Sequence, residues 1–216
     1  MERVAAIYLA HLNPLTITHT NIISLLLRKD YNVYIYPVRF LKDDREINTR
    51  SFPFPYKIRK AMIESVFGIN DSITISPDYS LQSPFLRYLP PLISPFSWTL
   101  RSQILKNVRE EKFVSYTGDM AERITLTVFR LRPLKARRLS GSASDVKELL
   151  YRQALTELSE GYKKDSEHIE INWREKVPSG VVDVIERNWQ IVKFYAKSSD
   201  DTLKVLGMKI PKEGFV

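Results

Sequence analysis

Apolar residues in this chain alternate between short continuous runs and segments with helical spacing. Val4 to Leu9 is a continuous run, the form taken by a strand buried on both faces, and predicts a strand over Arg3–Leu9. A polar loop follows, and then Ile22 to Leu27 carries the apolar stripe of a helix predicted over Thr18–Lys29. Asn32–Val38, rich in β-branched and aromatic residues, reads as a second strand, Tyr56–Phe67 as a helix, and Ser72–Ser76 as a short strand. Pro77–Pro95, dense in Pro, Leu, Tyr and Phe, reads as an irregular insertion that walls an acceptor pocket, forms a subunit contact or packs as an ordinary loop. Beyond it, the spacing predicts a helix over Trp98–Glu110, a strand over Lys112–Thr117 and a helix over Asp119–Phe129. An extended segment over Leu131–Leu139 and a helix over Ser142–Ser159 complete this part. A charged turn at Gly161–Asp165 precedes a last amphipathic helix from Ser179 to about Ala196.

Strands alternating with helices predict an α/β fold: a doubly wound, mostly parallel sheet with helices on both faces. The expected organisation is one domain over residues 1–150 and a mainly helical extension over 151–216 packed on it. No internal repeat or low-complexity tract occurs.

The loop between the first strand and helix is Ala10-His11-Leu12-Asn13-Pro14-Leu15-Thr16-Ile17-Thr18-His19. A polar loop at that junction is where an α/β protein holds a phosphate, because unpaired backbone N–H groups and the helix dipole both favour an anion there. Thr16 and His19 sit at the helix mouth. About 120 residues later, Ser140-Gly141-Ser142-Ala143-Ser144-Asp145-Val146-Lys147 opens another helix. Its hydroxyls suit an N-cap and can also donate to phosphate oxygens.

Together these segments resemble the nucleotidyltransferase superfamily that includes the pantetheine-phosphate, nicotinamide-mononucleotide and glycerol-phosphate nucleotidylyltransferases. Pro14, Thr16 and His19 match its first motif, in which Ala10 and Thr18 stand where Gly is usual and Leu12 where Phe is usual. Ser142, Ser144, Val146 and Lys147 fall in register with the late motif, Lys147 in place of Arg. Trp173 and the Val177-Pro178 pair before the last helix are also similar to archaeal nicotinamide-mononucleotide adenylyltransferases.

The resemblance implies a Rossmann-like fold and transfer of a nucleoside monophosphate from ATP or CTP to a phosphorylated small acceptor, with release of pyrophosphate and with Mg²⁺ accompanying the triphosphate. His19, Thr16 and Lys147 would be the catalytic residues, and Ala10, His11, Leu12, Thr18, Ser142 and Ser144 would border the nucleotide. Asp119, at the end of a strand, is either a further nucleotide contact or the cap of the helix behind it. Arg39 and Lys42, past the second strand, could bind the acceptor phosphate, whereas the neighbouring Asp43, Asp44, Arg45 and Glu46 suggest a solvated loop.

Composition narrows the alternatives. The 216 residues suffice for one substantial core, and 44% hydrophobic with 27% charged is ordinary for a globular protein. No apolar stretch reaches membrane-spanning length and no secretory leader is evident, so the expectation is a cytoplasmic protein without a membrane partner. Zero cysteines exclude disulfides and thiolate metal sites, and three dispersed histidines have no metal-ligand spacing. A net charge of +8 fits either a polyphosphate site or nucleic acid. The densest cluster, Arg130, Arg132, Lys135, Arg137 and Arg138, reads as a solvated face or as a steering patch for polyphosphate. RNA is disfavoured, since no aromatic and glycine RNA-binding signature is present. A homo-oligomer, a nucleotide-binding protein without turnover and cytidylyl transfer to a phosphorylated alcohol stay open.

Overall fold

A computed structural model describes residues 3–90, 93–117, 123, 126–127, 130–135, 142–159, 172–205 and 208–216. Its centre is a five-stranded, wholly parallel sheet in the order β5-β2-β1-β7-β8. The strands are β1 (Ala5–Ala10), β2 (Asn32–Pro37), β5 (Ile73–Ile75), β7 (Phe113–Thr117) and β8 (Pro133–Lys135). The side-chain period of two divides β1 and β2 between two cores. Ala6, Tyr8, Val33 and Ile35 face α1 (Ile17–Arg28), α2 (Tyr56–Phe67) and the C-terminal helices. Ala5, Ile7, Leu9, Tyr34 and Tyr36 face α3 (Pro95–Lys106) through Leu100 and Ile104. Burial on both faces explains why these strands are continuous apolar runs.

The C-terminal third adds α4 (Ala143–Ser159), α5 (Ser179–Arg187) and α6 (Trp189–Lys197) to the first core. α4 runs through residue 150, and its Val146, Leu150, Tyr151 and Ala154 share that core with β1 and β2. Trp173, fully buried, donates its indole N–H to Gln153 at 2.7 Å. The single helix expected from Ser179 to Ala196 is two helices. At Asn188 the backbone leaves helical geometry (φ −111°, ψ 24°), and its side-chain amide donates to the Val184 carbonyl at 2.8 Å, ending α5.

α3 begins three residues before the expected Trp98 because Pro95 occupies the first helical turn, where its missing N–H costs nothing. The stretch expected to be irregular contains β6 (Ser80–Gln82) and a 3₁₀ turn over Phe85–Tyr88. β6 pairs parallel with β3 (Arg39–Lys42), which pairs antiparallel with β4 (Arg45–Glu46). A hairpin of β9 (Thr202–Val205) and β10 (Met208–Pro211) closes the chain, and its Ile210 packs with Phe40, Phe52 and Phe85. Among the described residues no helix is long and apolar enough to cross a membrane.

Candidate functional site

β1 lies between β2 and β7, so the chain departs from its carboxyl end at the point where the strand order reverses, the usual ligand crevice of an open α/β sheet. The loop leaving β1 is tightly held. The Ala10 carbonyl accepts the Val38 N–H at 3.0 Å. Leu12, buried, adopts a left-handed conformation at φ 48°, a costly state for leucine that the surroundings must enforce. Asn13 supplies part of that enforcement: its amide donates to the Phe54 carbonyl at 2.9 Å and its Oδ1 accepts the Phe54 N–H at 3.1 Å.

Thr16 is the N-cap of α1, and His19 is its third helical residue. The Thr16 N–H donates to His19 Nδ1 at 3.1 Å, with Thr16 Oγ1 3.0 Å from the same nitrogen. A ring nitrogen that accepts a backbone N–H carries no proton, so the neutral imidazole holds its proton at Nε2 as a donor. The capping box thereby fixes both the orientation and the tautomer of His19. Thr18, half-buried, stands one residue earlier in the same turn.

His11 stacks on Phe52 with ring centroids 4.5 Å apart, and on Phe40 at 6.1 Å. Burial, reinforced by the positive charges of Lys147 and Arg59 and by His19, lowers its pKa from 6.5 to about 3, so the ring is neutral at any physiological pH. The early loop and the late motif, far apart in sequence, meet at the Phe52 ring, which His11 stacks on and the Lys147 ammonium faces. Lys147 donates to the Ser51 carbonyl, with its ammonium 5.8 Å from the centre of the Phe52 ring. Burial and the charge of Lys209, opposed by Asp200, lower its pKa from 10.5 to about 8.

Behind the loop lies a residue that the sequence reading missed. Arg59, 2% exposed, donates to the carbonyls of His11 at 2.8 Å and Val38 at 2.7 Å and pairs with Glu46 at 2.7 Å. Burial pushes its pKa down and Glu46 opposes that push. A signal was present: Arg59 shares one face of α2 with the buried Met62 and Ile63, an unusual place for a charge. Glu46, expected in a solvated loop, also accepts the Tyr56 N–H at 2.8 Å.

The remaining expected site residues separate. Ser142 and Asp145 cap α4 reciprocally, the Ser142 Oγ accepting the Asp145 N–H at 3.2 Å and Asp145 accepting the Ser142 N–H at 2.9 Å. Ser144 is exposed one position into the helix. Arg39 and Lys42, paired in the sequence reading, have different surroundings. Arg39 donates to Ser80 at 3.3 Å and lies over the Tyr56 ring, while the exposed Lys42 pairs with Glu213 at 3.2 Å. Asp119, Arg137 and Arg138 lie outside the described residues; Arg130 and Arg132 are exposed.

Beside His11 opens a cavity of about 90 Å³, several times the space one water needs. Val38, Phe40, Leu81, Phe85, Leu100 and Ile104 make its walls mostly apolar, and Arg101 and Lys209 bring charge to it. Tyr79, Leu81, Phe85, Tyr88 and Leu89 of the Pro-rich stretch are among its lining residues. Among the described residues no cluster of three or more His, Asp or Glu side chains is placed to hold a metal ion.

Comparison with protein-family models and with curated proteins finds no match. Solved structures do match. A bifunctional NMN adenylyltransferase/ADP-ribose pyrophosphatase from Francisella tularensis, complexed with AMP and a manganese ion, superposes with a TM-score of 0.60 at 14% identity, over 91% of this chain and 52% of that one. A second structure of a bifunctional enzyme of this description from the same organism gives 0.57 at 13% identity, over 93% and 58%. A provisionally assigned nicotinate-nucleotide adenylyltransferase from Vibrio parahaemolyticus gives 0.50 at 13% identity, over 89% and 96%. The chain thus spans little more than half the length of the Francisella proteins. What the strand order, the crevice at β1 and these superpositions establish together is the fold: this chain has a Rossmann-like α/β fold similar to that of these solved adenylyltransferase structures.

Proposed function

We propose that the chain is a nucleotidyltransferase that moves a nucleoside monophosphate, AMP before CMP, from a triphosphate to the phosphate of a small acceptor, releasing pyrophosphate. The observation that carries this reading is the capping box that presents His19 as an Nε2 donor at a helix N-terminus, in the loop whose His11 shares the Phe52 ring with Lys147 of the late motif. An acceptor phosphate oxygen attacks the α-phosphorus in line, a new P–O bond forms, and the bond to the pyrophosphate oxygen breaks. No protein nucleophile is needed; the protein orients the reactants and stabilises charge on the phosphate oxygens.

In this reading His19 Nε2–H donates to an α-phosphate oxygen and gains strength as negative charge accumulates there. Thr16 holds the imidazole and adds a hydroxyl at the helix mouth, while Thr18 and the loop from Ala10 to Leu12 border the nucleotide. Lys147 and Ser144 receive the β and γ phosphates. Ser142, whose Oγ accepts the Asp145 N–H, serves first as the helix cap. Magnesium would neutralise triphosphate oxygens, held by those oxygens and water more than by protein carboxylates.

The cavity bears on the choice of acceptor. Its largely apolar walls suit the ring of a phosphorylated acceptor better than a small polyol phosphate, and at about 90 Å³ it could take that ring but not a whole mononucleotide. His11, neutral and stacked, offers that ring a flat face and no charge. Arg39 and Lys42 remain candidates for the acceptor phosphate. The test is a pyrophosphate-release screen crossing ATP and CTP with nicotinamide mononucleotide, phosphopantetheine and glycerol phosphate. Release with ATP and the mononucleotide is expected; no release with any pair overturns the reading.

A further inference from the structure

The C-terminal hairpin plays no part in the mechanism so far, yet it delivers an ammonium group to the same few ångströms as Lys147. Lys147 donates to the Ser51 carbonyl, and Lys209 of β10 donates to the Ser51 Oγ at 2.7 Å. One carboxylate serves both: Asp200 accepts from Lys209 at 2.8 Å, from Ser51 Oγ at 2.8 Å and from the Ser51 N–H at 3.2 Å. Other nearby cations are committed elsewhere, Arg50 to the carbonyls of Tyr195 and Ala196, and Arg59 to Glu46. Two ammonium groups against one carboxylate leave a surplus positive charge beside a partly desolvated lysine. The two like charges repel, and the partial burial of Lys147 reduces the screening that water would provide. An anion that enters would relieve it.

We propose that Lys209 binds a phosphate group of the substrates together with Lys147, at the rim of the His11 cavity. Lys209 already lines that cavity, as do its hairpin neighbours Met208 and Ile210. Its tie to Asp200 is half-exposed, and such pairs are weak enough to exchange for a doubly charged ligand. Asp200 parks the lysine when no phosphate is present, and Ser51 fixes where both ammonium groups sit. The pair supplies as two point charges what a bidentate guanidinium would supply as one fork, since the late motif carries Lys147 where Arg is usual.

The proposal deepens the nucleotidyltransferase reading by adding a phosphate ligand to its site, and its test reads binding, so a failed turnover screen leaves it testable. Tripolyphosphate, standing for the donor, and nicotinamide mononucleotide, standing for the acceptor, are titrated calorimetrically into the full chain. Lys209→Gln should weaken at least one of them roughly tenfold or more, as expected for loss of a charge-assisted hydrogen bond. The ligand affected identifies which phosphate sits there. Lys29→Gln, an exposed lysine at the far end of α1 from the loop, controls for net charge and should change binding less than about twofold. Lys209→Arg should restore binding. Asp200→Asn removes the competing carboxylate and should tighten the phosphate ligand. If Lys209 is only a staple for the hairpin, both Lys209→Gln and Asp200→Asn lower the melting temperature and neither alters affinity beyond the Lys29→Gln control; that pattern overturns the proposal.

Discussion

The ionisation of Lys147 makes a quantitative demand on nucleotide binding. Its pKa is lowered from 10.5 to about 8, chiefly by burial and then by Lys209. A bound phosphate favours the charged form, so above pH 8 each binding event must take up a proton. The free lysine is ~90% ionised at pH 7 and ~10% at pH 9, and triphosphate affinity should fall about tenfold over that interval. Titration calorimetry in buffers of different ionisation enthalpy should count close to one proton taken up near pH 9. Lys147→Arg keeps its charge throughout, so its affinity should be nearly flat over the same range. Stability of the ligand-free protein should respond with the opposite sign. Between about pH 8 and 10.5 the unfolded chain binds more protons at this residue than the folded one, so its contribution to stability rises with pH. The difference between wild type and Lys147→Met in melting temperature isolates that contribution. Equal pH slopes of affinity for wild type and Lys147→Arg would refute the placement of Lys147 on a phosphate.

Four further substitutions separate catalysis, capping and scaffold. His19→Ala should lower turnover by roughly two to three orders of magnitude while changing triphosphate affinity only a few-fold, as loss of one oxyanion donor does; full turnover by the folded variant would remove His19 from the mechanism. Ser142→Ala should cost about 1 kcal/mol of stability through the lost cap and leave triphosphate binding unchanged. Ser144→Ala should do the reverse, and thermal melts beside titrations of both variants decide. Glu46→Gln leaves the buried Arg59 charge without its counter-ion and should destabilise the fold by about 3–5 kcal/mol, read from a denaturant midpoint. A loss below about 1 kcal/mol would mean that the carbonyls of His11 and Val38 alone satisfy Arg59.

What the sequence disclosed and what it hid divide by the range of the interactions. β1 and β2 were legible because burial on both faces writes an apolar run into consecutive residues. α2 was legible to the residue, since Pro55 precedes it and Gly68, at φ 59°, ends it. The place of Thr16 and His19 at the mouth of α1 was legible because it follows from where the helix begins, and the capping contact between them spans only three positions. By contrast, β3, β4 and β6 have only two to four residues each and exist by pairing with one another, which no local pattern records. Glu46 sits among Asp43, Asp44 and Arg45, so local charge density reads as solvent, while its partner Arg59 lies thirteen residues away on a buried helix face. Lys209 and Ser51 meet across 158 residues of sequence, in a hairpin whose Met-Lys-Ile alternation carries no chemical signature.

The departures from the motif that the loop resembles have an explanation in the backbone. Ala10 ends β1 in regular pairing, opposite Pro37, with its carbonyl bonded to Val38; a residue in extended strand geometry has no need of glycine's conformational freedom. The left-handed turn that a glycine would ease falls instead at Leu12, whose side chain is driven into the first core while Asn13 clamps the next residue to Phe54. Hydrophobic burial of a leucine contributes about 1.5–3 kcal/mol, comparable with the strain of its backbone, so a position that costs energy locally is held by packing. The loop is consequently held by packing and hydrogen bonds rather than by glycine content, and a held loop is what the proposed aiming of a helix N-terminus and a histidine donor at one phosphate would require.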